Sequence, residues 1–338
     1  MEIPGYNELV YYSTPPNSYI GTAIFLSYIV AAVYATTSTT YSLYSQYSSI
    51  FNTPAAKEDT TRNAALAARA RHVKIYAFIA SLSFATLAYH MLMFLITHYL
   101  EWSGKKSSSL GAVNIEQLKS WMLESTLFHD FGQELVQNAP NAAWTEAAIL
   151  ATWFWNIYMA QKARARNYDA STMRNYILLS QTLPISFAVS LFLIQLHLSS
   201  PDIAPAQTSK DPAKPVAAPQ RRKPIASLQI PNILVNASLL ALPPLRSNSI
   251  FMVLLLVTRA VLLVPHWALM SLKDSDVVKC ITISGGFVVA NMAMMKKDFS
   301  PAALRGSLED GGHAIKALGW DTVLGALVYI VLGWGGGV

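Results

Sequence analysis

Apolar stretches of about the length needed to cross a bilayer recur along this chain, and they exclude most soluble folds. A crossing takes about 20 mostly apolar residues. Tyr19 to Ser38, Val73 to Leu100, Ala143 to Ala160, Met173 to Leu198 and Ser249 to Met270 meet that length clearly. Ser227 to Leu245 (with Pro231, Pro243 and Pro244), Val277 to Met295 (with Gly285 and Gly286) and Trp320 to the C-terminus meet it less well. Charged residues make up only 13% of the 338 positions and hydrophobic ones 53%. The expectation is an all-α, polytopic transmembrane helix bundle of about eight spans, within a range of six to eight. Glu2 and Glu8 precede the first span without an early basic residue, which fits a signal anchor better than a cleaved leader.

Between Ser199 and Pro224 the chain holds Pro201, Pro205, Pro212, Pro215, Pro219 and Pro224 with no aromatic residue, a composition that buries too little to fold. Residues 199–226 read as a disordered linker between a four-span bundle over 1–198 and a C-terminal bundle of about four spans over 227–338. Lys57, Arg62, Arg69 and Arg71 before the second span, and Lys162, Arg164, Arg166 and Arg174 between the third and fourth, assign those loops to the cytosol. Both termini would then be lumenal. Lys210, Lys214, Arg221, Arg222 and Lys223 of the linker conflict with that arrangement. The net charge of +6 is explained by these clusters beside apolar segments, so no nucleic-acid partner is expected.

One segment departs from the oily background. From Lys119 to Gln137 the chain has good helix formers and no proline, and it is too polar to span. It reads as an acidic helix over 119–137, interfacial or re-entrant. At about 100° per residue, Asp130 and Glu134 stack one turn apart with Glu124 and Phe131 on the same broad face. Three acids on one face can point into one cavity, where lost solvation raises a carboxyl's pKa and keeps it ready as a proton donor. The same pattern also fits an amphipathic helix whose acids face water. His129 could orient or reprotonate a carboxyl. Glu146, at the start of the third span, is either an intramembrane functional acid or a helix cap. Arg259 sits mid-span and calls for a partner such as Asp276 or Asp321.

Aromatic residues gather around this segment: Trp121, Phe131, Trp144, Trp153, Trp155 and Tyr158, with Gln181 nearby in sequence. Aromatic faces stabilise cations, more strongly when dry. No HExxH motif, close histidine pairing or cysteine pair suggests a metal, and no aspartate-rich motif suggests a magnesium diphosphate site. No metal and no cofactor are expected.

The stretches STLFHDFGQELV, WTEAAILATWFWNIYMAQKARAR and YILLSQTLPISFAVSLFLIQLHL, about the middle quarter of the chain, resemble a family of fungal integral-membrane terpene cyclases of meroterpenoid pathways. The resemblance implies cyclisation of a lipophilic prenylated small molecule, begun by protonating a terminal alkene or epoxide, in secondary-metabolite biosynthesis. It implies a multi-pass protein of the endoplasmic reticulum, beside other enzymes of its pathway in the same membrane. On this reading Asp130 or Glu134 donates the proton, Glu124 is partner or terminal base, and Glu146 is a reserve. A double-bond isomerase of sterol-like substrates and a proton-coupled transporter are the rival readings.

Overall fold

The computed structural model describes residues 11–12, 14–51, 60–104, 114–200, 226–295 and 299–334. It is all-helical: the described residues hold no strand, only a bridge between Ala226 and Met270. In chain order the helices are α1 Tyr19–Phe51, α2 Thr60–Ser103, α3 Ile115–Glu124, α4 Leu127–Glu134, α5 Ala139–Ala165, α6 Ala170–Thr182 and α7 Ile185–Leu198. They continue with α8 Gln229–Leu245, α9 Phe251–Val261, α10 Asp274–Met294, α11 Pro301–Asp310 and α12 His313–Gly333. Four of these, α1, α2 from Asn63, α10 and α12, are long and apolar enough to cross a membrane, which makes this a membrane protein. The linker expected over 199–226 lies, apart from its ends, outside the described residues.

The bundle has two ends of opposite character. One carries α3 and α4 with Glu124, Asp130 and Glu134. The other carries Arg69, Arg71, Lys162, Arg164 and Arg166. α1 starts at the acidic end, where Thr22 Oγ1 donates to the Met122 carbonyl at 3.0 Å, and finishes at the basic end, where Gln46 meets Gln195. α2 and α8 run from the basic end to the acidic end, α5 and α12 the other way.

Met173 to Leu198, expected as one crossing, is a helical hairpin. α6 leaves the basic end, stops at Thr182, and α7 returns, so that the Tyr168 hydroxyl meets the Ser199 hydroxyl. The break falls at Leu183, whose extended backbone (φ −128°, ψ 176°) suits a residue before proline, and Pro184 opens α7. The hairpin tip is held inside the bundle by Asp321 of α12, which accepts from Ile185 N–H at 3.0 Å, Ser186 N–H at 2.9 Å and Ser186 Oγ–H at 2.6 Å. Those are the free donors of a helix N-terminus, satisfied by a carboxylate. Every residue of α7 is buried, as a helix apolar on all sides requires.

Among the described residues seven helical passages connect the two ends, within the expected range of six to eight, and the described chain finishes at the basic end, with Trp334 beside Arg71 and His72. The linker's attachment points, Ser200 and Ala226, are both at the basic end: Ala226 pairs with Leu269 and Ser271, in the segment that Arg164 holds through the Met270 and Trp267 carbonyls. α12 packs along α2, α5 and α7. α10 continues through Gly285 and Gly286 without interruption.

Candidate functional site

The polar segment between α2 and α5 is two helices. α3 ends at Glu124, Ser125 is extended (φ −85°, ψ 155°) and bonds back to the Trp121 carbonyl, and α4 restarts at Leu127. Adjacent Ser and Thr side chains compete for backbone partners and disfavour a continuous helix. The break removes the shared acidic face expected over 119–137: Glu124 is exposed, while Asp130 and Glu134 are partly buried in separate surroundings.

Asp130 lies in a hydrogen-bonded chain. Trp121 Nε1 donates to His98 Nδ1 at 3.0 Å, and His98 Nε2 lies 3.1 Å from Asp130 Oδ2. Because indole N–H only donates, His98 Nδ1 must accept, which leaves the Nε2 proton pointing at the carboxylate. Thr126 Oγ1 donates to the same oxygen at 2.5 Å, and His129 Nδ1 is 3.6 Å from the other. Burial alone would raise the Asp130 pKa, but the bonds from Thr126, His98 and His129 outweigh it and hold the carboxyl below the ordinary range. Asp130 is therefore placed as a hydrogen-bond acceptor.

Glu134 faces the other way. Its Oε1 accepts from Ile315 N–H at 3.1 Å at the start of α12, and a Cβ on Gly312 would sit 2.2 Å from that oxygen, so only glycine allows the approach. Burial raises the Glu134 pKa, and the α12 amides of Ile315 and Ala314, with Lys316, pull it only part of the way back. Asn141 and Thr145 of α5 then secure the end of α4, through the Glu134 carbonyl at 2.8 Å and the Leu135 carbonyl at 2.6 Å.

Glu146, the reserve candidate, is set apart from both. It is 6% exposed, and Asn291 Nδ2 of α10 donates to its Oε2 at 2.6 Å. Among the described residues no Lys or Arg lies within ion-pair distance of it. Asn138 caps α5 through Asn141 N–H, and Pro140 occupies the first turn, so Glu146 is not the cap of its helix. One helical turn toward the acidic end stand Ala142 of α5 and Met295, the cap of α10, which wall an open pocket of about 620 Å³ with Gln137, Asn138, Pro140, Pro243 and Arg246. Glu146 itself does not line that pocket; it stands one turn along α5 from Ala142, which does.

None of the aromatic residues expected around a cation borders it. Trp121 and Phe131 belong to the His98 neighbourhood, where Phe131 meets Phe94 edge to face at 5.2 Å. Trp144 Nε1 donates to the Leu304 carbonyl at 3.0 Å. Trp153 and Trp155 lie in two different cores, the two-residue spacing setting them on opposite sides of α5. Trp155 stands edge-on to Tyr158, over which Lys162 is placed 5.7 Å from the ring centre. The Gln181 carbonyl accepts from Arg259; of its two expected acidic partners, Asp321 at the hairpin tip feels the Arg259 charge, while Asp276 accepts from Ser271. Sequence reasoning missed His98 and Asn291. Each is a polar residue inside an apolar run, the signal that should have marked both.

Among the described residues no group of three or more His, Cys, Asp or Glu side chains is placed to hold a metal ion. Set against protein-family models, curated proteins and solved structures, the chain matches none.

Proposed function

We propose that the chain is an integral-membrane terpene cyclase of the protonation-initiated kind, acting on a lipophilic prenylated substrate, with Glu146 as the proton donor. The observation that carries this reading is the placement of Glu146: buried, bonded to one neutral amide, and one helical turn along α5 from Ala142, which lines an open pocket of about 620 Å³. A pocket of that size lies in the range that holds drug-sized ligands. An acid that stays out of bulk water can protonate an alkene or epoxide. In a bilayer, most simply that of the endoplasmic reticulum, the seven passages would cross, α3 and α4 would lie in the interface, and the basic end would face the cytosol.

The test is product analysis in membranes containing the chain, supplied with a farnesylated aromatic compound with and without its terminal epoxide. A cyclic isomer of unchanged mass supports the reading. A shifted double bond without a new ring would replace it with the isomerase reading.

One observation favours a second reading. A helix pair that enters and leaves on the same end, with its tip fastened by the half-buried Asp321, is the kind of broken element that transporters build around a substrate. Proton flux into liposomes carrying the chain, abolished by Asp321→Asn, would support transport in place of cyclisation.

A further inference from the structure

A second pocket, of about 440 Å³, lies at the basic end between the start of α2 and the end of α12, lined by Arg71, His72, Ile75, Val331 and Trp334. It has a charged rim and apolar walls. Arg71 is exposed, and among the described residues no carboxylate lies within ion-pair distance of it. Lys74 adds a further exposed cation one turn along α2. Trp334 is 90% exposed at the helix end, the position indole rings take at a membrane surface.

Away from this rim the two helices present an apolar strip. On α2, Arg71, Ile75, Phe78 and Leu82 recur at three- and four-residue spacing and so share one side; Phe78 is 70% and Leu82 41% exposed. On α12, Trp334, Ile330 and Leu327 do the same, with Ile330 58% exposed. α2 and α12 pack against each other. The result is a furrow with cations at its surface end and hydrocarbon along its length.

We infer that this furrow binds an anionic membrane phospholipid, its phosphate against Arg71 and His72 and an acyl chain along Ile75, Phe78 and Leu82. A guanidinium recognises phosphate oxygens by paired N–H bonds, and a neutral zwitterionic lipid offers the same phosphate with a compensating cation that this rim repels. The position agrees with the leaflet in which acidic lipids are enriched, if the basic end is cytosolic. A free phosphate would use the rim but not the strip.

The experiment uses the full chain in nanodiscs of phosphatidylcholine alone or mixed with phosphatidylserine, followed by extraction and native mass spectrometry of the retained lipid. Wild type should retain phosphatidylserine in preference to phosphatidylcholine. Arg71→Gln should lower that preference about tenfold, and Phe78→Ser should weaken retention of both lipids. Lys279→Gln, an exposed cation on α10, should change nothing. An equal loss with Lys279→Gln, or none with Arg71→Gln, would mean diffuse attraction and overturn the site. Displacement of the lipid by inorganic phosphate at matched concentration would likewise overturn the lipid assignment.

Discussion

Two carboxylates that look alike in sequence, Asp130 and Glu146, sit in opposite electrostatic settings. Asp130 is 40% exposed and surrounded by donors, with Thr126, His98 and His129 all turned toward it. Glu146 is buried and has one amide. The first setting rewards the charged form, and the second supplies almost nothing to replace water. Glu134 stands between them, an acid whose geometry is taken up by the start of α12. The lesson is that counting acids on a helical face says little until the donors around each are known. Donors from elsewhere in the chain, His98 for Asp130 and Asn291 for Glu146, set how far each carboxylate's lost hydration is replaced.

The comparison can be broken most sharply at Asn291. Asn291→Leu leaves Glu146 buried without a partner and should lower stability by about 1–3 kcal/mol in thermal melts of the detergent-solubilised protein. Thr126→Val, which removes one of several donors to Asp130, should cost less than about 1 kcal/mol. A larger loss at Thr126 than at Asn291 would reverse the ranking of the two sites.

Next comes the contact between Glu134 and α12. Gly312→Ala must push the Glu134 carboxylate aside and should cost about 1 kcal/mol, the value of a helix cap. In a Glu134→Ala background the same change should cost nothing. Additive effects would show that the carboxylate does not fasten α12.

The pH dependence sharpens the contrast further. Asp130 titrates below its ordinary 3.8 in the folded protein, so its contribution to stability is present above that value and is lost as pH falls through the folded one. Glu134 titrates above its ordinary 4.5, so its contribution is full below that value and fades as pH rises through the folded one. Asp130→Asn should therefore flatten the acid side of a melting profile, and Glu134→Gln the side toward neutral pH. The smallest effect belongs to His129, half-exposed and 3.6 Å from Asp130. His129→Ala should change stability by no more than about 0.5 kcal/mol.

How far this was legible in the sequence differs by element. The runs that become α1 and α2 were readable because length and apolarity suffice to identify such helices. The hairpin was not: a continuous apolar run from Met173 to Leu198 has the same hydropathy whether it crosses or doubles back, and only Pro184 marks the turn. The break at Ser125 and Thr126 carried a local signal in two adjacent hydroxyl residues, and missing it produced the false shared face. The pairing of Glu146 with Asn291, 145 residues apart, has no local signal at all. One chain read alone shows that both are polar residues in oil, and not that they meet.

The most direct test is the turnover of Glu146→Gln beside Asp130→Asn in the same membranes, with the farnesylated substrate and product quantified by mass spectrometry. Gln keeps the shape and an acceptor for Asn291 but has no proton to give. The account predicts that Glu146→Gln lowers turnover by about 10²-fold or more while Asp130→Asn retains a measurable rate. Wild-type turnover from Glu146→Gln would contradict it.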